Sequence, residues 1–332
     1  MRKKSRDEEK ISISKSICLL VCAFIYVIPV IMVFVNAFKP LKEIQGNFWA
    51  LPKNFMLENF QTAFGLMDFG RAGVNTAIIT LGTVFTGVLV SYLAAYGISH
   101  LKGKLSSGLY LMFVMGQIVP MHTVIVAIAI IASKFHINNT YFGLIILYVG
   151  FHCAFGIMTY VGFLKGIPAE LEEAAVIDGC GLGQTIFQIV FPLLKPCTVT
   201  VGTLFFLWTW SDYLLPSILI SNAAKRTLIL NLYIFKSVSN IQWNYFIAGL
   251  SLCILPVIII YILAQKYITS GLVAGGGKGG GGRISLLFVQ NPTFQGENRK
   301  RLSKMHKKAT QSLAGTLLTA PGRIFLRNNR AN

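Results

Sequence analysis

Charge is scarce in this chain, and negative charge is the scarcest. Only 13% of its 332 residues are charged, and just twelve are Asp or Glu, where a soluble protein carries about a quarter charged residues. That shortage excludes an ordinary water-soluble domain. Paired ligands are missing too. The six cysteines, Cys18, Cys22, Cys153, Cys180, Cys197 and Cys253, contain no C-x-x-C pair, which leaves no sequence basis for a zinc site or a disulfide framework. The five histidines, His100, His122, His136, His152 and His306, are scattered without a second ligand at helical spacing, so no metal is expected. A membrane-embedded enzyme would want clustered acids, histidines or a Ser/His pair, yet the apolar stretches contain a single acid, Asp212. The phosphate-binding loop is absent as well. Aligning Gly277-Lys278 of "GLVAGGGKGGGG" (271–282) with G-x-x-x-x-G-K-[ST] puts Leu272 at the first glycine and Gly279 at the Ser/Thr, and the stretch follows a helix rather than a strand. No cofactor and no ATP hydrolysis by this chain are expected.

What is abundant is apolar sequence, 54% of the chain, in long runs. A run of about twenty apolar residues crosses a hydrocarbon core of roughly 30 Å, and helices satisfy their own backbone groups in lipid. Six spans are expected, near 17–38, 74–98, 106–132, 141–164, 198–220 and 245–266. The first, "CLLVCAFIYVIPVIMVFVNAF", is too long for a signal-peptide core and no small-residue cleavage site follows it, so it reads as retained. Lys and Arg set the orientation. Arg2, Lys3, Lys4, Arg6, Lys10 and Lys15 precede the first span, Lys102 and Lys104 occupy the loop after the second, and the loop after the third has only Lys134. Both termini and the loop 165–197 are therefore expected in the cytoplasm.

That loop holds four of the twelve acids, Glu170, Glu172, Glu173 and Asp178, in "ELEEAAVIDGCG". Pro168 favours a helix start, the glutamates suit the positive end of the helix dipole, and Gly179 is a natural stop. Leu171, Ala174, Ala175 and Ile177 supply a narrow apolar stripe. Geometry leaves two readings open: an ordinary surface helix joining two spans, or a peg inserted into a groove on a partner protein.

The residues themselves carry a resemblance. Glu173-Ala174-Ala175, Asp178-Gly179, then Ile189, Pro192 and Pro196, framed by "GIPAELEEAA" and "FQIVFPLLKP", resemble the EAA loop of permease subunits of bacterial ATP-binding-cassette importers. "NAFKPLKEI" (36–44), "NTAIIT" (75–80) and "WSDYLLP" (210–216) are similar to the second permease subunit of carbohydrate importers of the maltose and multiple-sugar kind. Cys180 stands where that family commonly has alanine. The resemblance implies an all-α membrane protein, six transmembrane helices in a type I importer permease bundle with a cytoplasmic coupling helix, in a bacterial plasma membrane. It implies that Glu173, Ala174, Ala175, Asp178 and Gly179 couple to the ATPase. The implied partners are a second permease, two ATP-binding-cassette ATPase subunits and an extracellular or periplasmic sugar-binding protein, with membrane lipid around them and no nucleic acid. The same kind of machine for another polar solute, such as glycerol phosphate, is disfavoured because the core of the spans holds no Arg or Lys for a phosphate. A stand-alone channel or membrane enzyme is the reading from another class.

Polar groups in a span are expensive and usually face the bundle interior or a water-filled path. Trp208, Trp210, Asp212 and Tyr213 in "FLWTWSDYLLP" offer flat faces and hydrogen bonds to a sugar, or else shape the bundle. If the span starts near Thr198, Asp212 lies about 21 Å along it. Gln117 and His122 are read as lining the path or as bonding neighbouring helices, and they flank Pro120, which is expected to kink the third span near its middle. Gly82, Gly87, Gly156 and Gly162 are read as close-packing positions.

The chain divides into a cytoplasmic N-terminal segment (1–16), a permease domain (17–279) and a basic extension (280–332). Residues 283–332 hold ten Lys/Arg against Glu297 alone, half of the net charge of +18. The extension is expected to be disordered. It reads as either a genuine cytoplasmic tail touching anionic lipid or RNA, or a frameshift product of the glycine-coding repeat.

Overall fold

A computed structural model describes residues 13–236 and 241–276, and the extension 280–332 and most of the segment 1–16 lie outside them. The described chain is helical, and its one strand-like pairing is an isolated bridge between Lys236 and Ile241. Four unbroken helices are long and apolar enough to cross a membrane: α1 (Ile13–Ala37), α4 (Phe69–His100), α7 (Tyr141–Leu164) and α14 (Trp243–Gly276). Two bent pairs raise the number to six if each pair is one span. Between the spans lie α2 (Leu41–Gly46) and α3 (Glu58–Leu66).

The first bent pair is α5 (Lys104–Ile118) and α6 (Met121–Lys134), which meet at 100°. The expected kink in one helix is instead a break. Pro120 lacks an N–H and its ring drives Val119 out of the helical region, to φ −73°, ψ 113°. The second pair follows α8 (Ala169–Ile177). Short α9 (Leu182–Gln184) and α10 (Phe191–Leu193) flank a π-helical turn, Thr185–Val190, and meet α11 (Lys195–Trp210) at 79°. The expected span 198–220 is also interrupted. Its helix ends at Trp210 and resumes as α12 (Leu214–Leu219), before α13 (Leu228–Leu232). Asp212 causes that break. Its carboxylate accepts from the N–H of Leu214 at 3.1 Å and of Leu215 at 3.2 Å, and Asp capping a new helix competes with continuing the old one. Asp212 therefore sits in a break and not 21 Å along a continuous helix.

At 32 residues, α4 is about 48 Å long, well beyond the hydrocarbon thickness. It is the hub of the bundle, with α7 and α11 packed along it. Glycines make two of these contacts possible. A Cβ on Gly87 would lie 2.9 Å from the Phe205 ring, and one on Gly156 would collide with Ser91. Gly82 likewise faces Ile145 at 2.7 Å, whereas Gly162 meets nothing within 4 Å and is not a packing position. The apolar residues of α1 from Ile17 to Ile31 are largely exposed on the isolated chain.

The motifs 36–44 and 75–80 have architectural jobs at the bundle end remote from α8. Asn36 Nδ2 donates to Phe48 O (3.0 Å), and Lys39 Nζ donates to Asn47 O (3.2 Å) and Phe48 O (3.0 Å). Asn59 Nδ2 donates to Ala37 O and Lys39 O, while Asn244 Nδ2 donates to Asn59 Oδ1. Burial pushes the Lys39 ammonium below the usual lysine value, and neighbouring Glu43 opposes the shift. Asn75 Nδ2 donates to Ala224 O and Arg226 O, both at 2.9 Å, while the Thr76 hydroxyl accepts from Leu228 N–H at 2.8 Å. These side chains hold irregular backbone that would otherwise leave buried carbonyls unpaired.

Candidate functional site

The acidic segment forms a short peg at the opposite end of the bundle. Pro168 is its extended N-cap (φ −61°, ψ 133°), one position ahead of the first helical turn. Glu170 and Glu172 lie in that first turn. The stop follows from Gly179, whose φ is +82°. Gly179 N–H returns to Val176 O at 3.0 Å and Cys180 N–H to Ala175 O at 2.9 Å, the paired bonds of a Schellman turn. An L side chain in that left-handed conformation costs about 1–2 kcal/mol.

Of the expected apolar stripe, only Ala175 is buried, at 4% exposure. Leu171 and Ala174 are exposed, and Ile177 is 85% exposed beside Val176 at 66%. Glu173, Asp178 and Gly179 are exposed as well. The peg therefore turns one small residue inward and presents acids and aliphatic side chains outward. A groove beside it is lined by Tyr96, Glu172, Glu173, Val176, Ile177 and Leu182 among others.

Sequence reasoning missed what holds this peg. Glu172 Oε2 accepts from the Tyr96 hydroxyl at 2.7 Å and lies 2.9 Å from His100 Nε2. The His100 ring stacks on Tyr96 at 4.0 Å, and its Nδ1 lies 2.8 Å from Tyr96 O. One turn earlier on α4, the Tyr92 hydroxyl donates to Ile186 O at 2.7 Å, inside the π turn. The available signal was that Tyr92, Tyr96 and His100 are spaced by four on one helix face.

The other nominated residues do not converge on one site. Gln117 and His122 flank the α5–α6 break and are exposed on the isolated chain. Trp210 is 7% exposed, donates its indole N–H to Cys253 O at 3.1 Å and stacks on Phe206. Tyr213 stacks on Tyr233 at 3.9 Å. Asp212 accepts from the Tyr148 hydroxyl at 2.7 Å. Trp208 alone among these aromatics keeps an open face, at 38% exposure, packed against His152 (5.2 Å) and Phe155 (5.2 Å). Tyr148 and His152 stack four residues apart on α7 and so connect Asp212 to Trp208. In the sequence Tyr148 is one more residue of an apolar run, and His152 is one of five scattered histidines. Among the described residues no group of three His, Cys, Asp or Glu could hold a metal ion.

Known proteins resemble this chain in sequence and in fold. Residues 87–273 match the family model of the binding-protein-dependent transport system inner membrane component. The probable starch degradation products transport system permease protein AmyC of Thermoanaerobacterium thermosulfurigenes is 38% identical over 77% of this chain and 93% of its own. The multiple sugar-binding transport system permease protein MsmG of Streptococcus mutans is 30% identical over 81% of this chain and 99% of its own. The melibiose/raffinose/stachyose import permease protein MelC of Bacillus subtilis is 28% identical over 70% and 84%. In fold, the chain resembles one from a bacterial ABC transporter involved in the import of the acidic polysaccharide alginate. The TM-score is 0.67 at 22% identity, covering 80% of this chain and 99% of that one.

Proposed function

The chain belongs to the family of binding-protein-dependent transport system inner membrane components, and from that membership we propose how its parts divide the work of importing sugar. It is the non-catalytic, multi-pass permease subunit of an ATP-driven sugar importer, as its relatives' names indicate. ATP is hydrolysed by separate subunits. Family membership implies a partner permease, an ATPase and a substrate-binding protein; the finer assembly has one further permease and two ATPase subunits in a bacterial plasma membrane, with both termini cytoplasmic.

In this reading α8 is the coupling helix. The observation that carries it is the exposed side chains of Glu173, Ala174, Val176 and Ile177 on a helix held to the bundle by Glu172 and by buried Ala175. Exposed aliphatic side chains outside the spans lose water contact on docking, at about 25 cal/mol per Å² buried, and Glu173 selects a cleft with a cation. Gly179 and Asp178 fix the angle at which the peg stands. Closure of the ATPase dimer displaces α8, and the bundle switches the side to which its path opens. Trp208, with Gln117 and His122, is offered to that path. Trp210, Asp212 and Tyr213 act by holding the helix break that shapes it. Affinity for the sugar resides mainly in the binding protein.

The test is a cysteine at Ala174 in cells expressing the whole transporter. A short cross-linker captures an ATPase subunit, and Glu173→Lys abolishes both capture and uptake of radiolabelled oligosaccharides. Absence of any such adduct from intact, assembled transporter would overturn the docking assignment.

A further inference from the structure

We propose that Glu172, Tyr96 and His100 form the tie through which displacement of α8 becomes displacement of α4, with Glu172 as the positioning residue. The proposal rests on the coupling-helix reading and names its output within this chain.

The geometry sets α8 apart from an ordinary surface helix. Its backbone packs chiefly on the π turn that follows it. Its firm link to α4 is made by side chains, through Glu172 and not through the outward-facing Glu173 beside it. One carboxylate oxygen of Glu172 is shared by the Tyr96 hydroxyl at 2.7 Å and His100 Nε2 at 2.9 Å. Hydrogen bonds to a charged acceptor are shorter and roughly twice as strong as neutral ones. The Glu172 side chain is also mostly enclosed, at 20% exposure, so water competes poorly for it. Stacking of His100 on Tyr96 fixes the direction of both donors.

A second point of attachment makes the link resist rotation. Tyr92, one turn along α4, holds Ile186 O in the π turn at 2.7 Å. Two attachments about 6 Å apart along the helix axis transmit a lever motion, where one would act as a swivel. The receiving element is α4, on which α7 and α11 both pack, so a pull on its end reaches the bundle at once. Glu172 and Glu173 are adjacent in sequence and point to opposite partners, one to this chain and one outward. The pair joins motor and bundle across a single peptide bond.

The experiment uses the assembled transporter in nanodiscs, with its six native cysteines replaced and nitroxide labels at Ser99→Cys on α4 and Glu170→Cys on α8. With Glu172 intact, the inter-label distance distribution stays the same in nucleotide-free and vanadate-trapped complexes, because the two helices move together. Glu172→Ala broadens or displaces that distribution on trapping, while capture of the ATPase at Ala174 is retained. Glu172→Gln keeps an acceptor for the Tyr96 hydroxyl and restores the original distribution. A role only in folding changes the melting temperature and leaves the trapped and free distributions alike. If Glu172→Ala does not assemble, the Tyr96→Phe/His100→Asn pair is read in the same way. Distributions in Glu172→Ala that match the intact chain in both states, with ATPase capture preserved, overturn the tie. Loss of capture in the intact chain strikes instead at the docking reading on which the tie depends.

Discussion

The Tyr148 hydroxyl donates to Asp212 Oδ2 at 2.7 Å, bridging α7 to the break between α11 and α12. The same carboxylate caps α12 through the N–H groups of Leu214 and Leu215. One side chain thus ends a membrane helix, starts the next and ties both to a neighbour.

Removing that carboxylate is expected to be costly. Asp212→Ala strands a buried hydroxyl and two backbone donors, each unsatisfied group costing about 1–3 kcal/mol. Tyr148→Phe removes one donor and is milder. A double-mutant cycle on the purified complex, read by denaturation, should give a coupling of about 0.5–3 kcal/mol between the two. Additive effects would mean that the bond contributes nothing.

The glycines separate into those that permit contact and those that do not. A Cβ on Gly249 would lie 2.6 Å from Met67 Sδ and 2.9 Å from the Leu232 side chain, so Gly249→Val is expected to lower the melting temperature and yield, with overpacking costing about 1–3 kcal/mol. Gly162 has open space around it, and Gly162→Ala should be neutral or stabilising by up to about 1 kcal/mol. Thermal unfolding in detergent measures both.

Gly179 tests the standing angle of the peg. Its φ of +82° makes Gly179→Val unfavourable by at least about 1–2 kcal/mol, and the strain is relieved by moving α8. Uptake should fall while the chain still reaches the membrane. Gly179→Asn, which tolerates left-handed backbone better, should retain more uptake than Gly179→Val.

Lys39 gives the fold a pH dependence. Burial lowers its folded-state pKa below an unfolded value of about 10.4. Between the two values the unfolded chain binds more protons at this site, so stability rises with pH through that window. Lys39→Met should lose this rise, and it also deprives the Asn47 and Phe48 carbonyls of their donor. Melting curves between pH 8 and 10.5 (a range set by the lysine value) compare the two chains.

The parts of this fold that are local in cause were legible in the sequence. Pro168 and Gly179 bound α8 because one lacks a donor and the other lacks a Cβ. The apolar runs locate the spans because span length is set by the bilayer. The misses have non-local or competing causes. Pro120 announces a disturbance, but the 100° angle depends on what α5 and α6 pack against. The break at Asp212 hides inside an apolar run, since one carboxylate had to outcompete helix propagation. Glu172 reads as a dipole-compensating acid like Glu170, and its partners Tyr96 and His100 lie 76 and 72 residues away. Trp210 reads equally as a sugar platform or as a residue that shapes the bundle, and its bond to the Cys253 carbonyl, 43 residues away, is invisible in the sequence.

The π turn at Thr185–Val190 accommodates one residue more than an α-helical turn would. Its length is therefore a phase setting. Deleting one residue there would wind the segment back into regular helix with the downstream phase kept, whereas a further inserted residue would rotate everything downstream by roughly 100°. Tyr92 would then face a different backbone oxygen, and α11 would present another stripe to α4. Chains of this design should accept many substitutions across those six positions, and the loss of one residue far better than the gain of one.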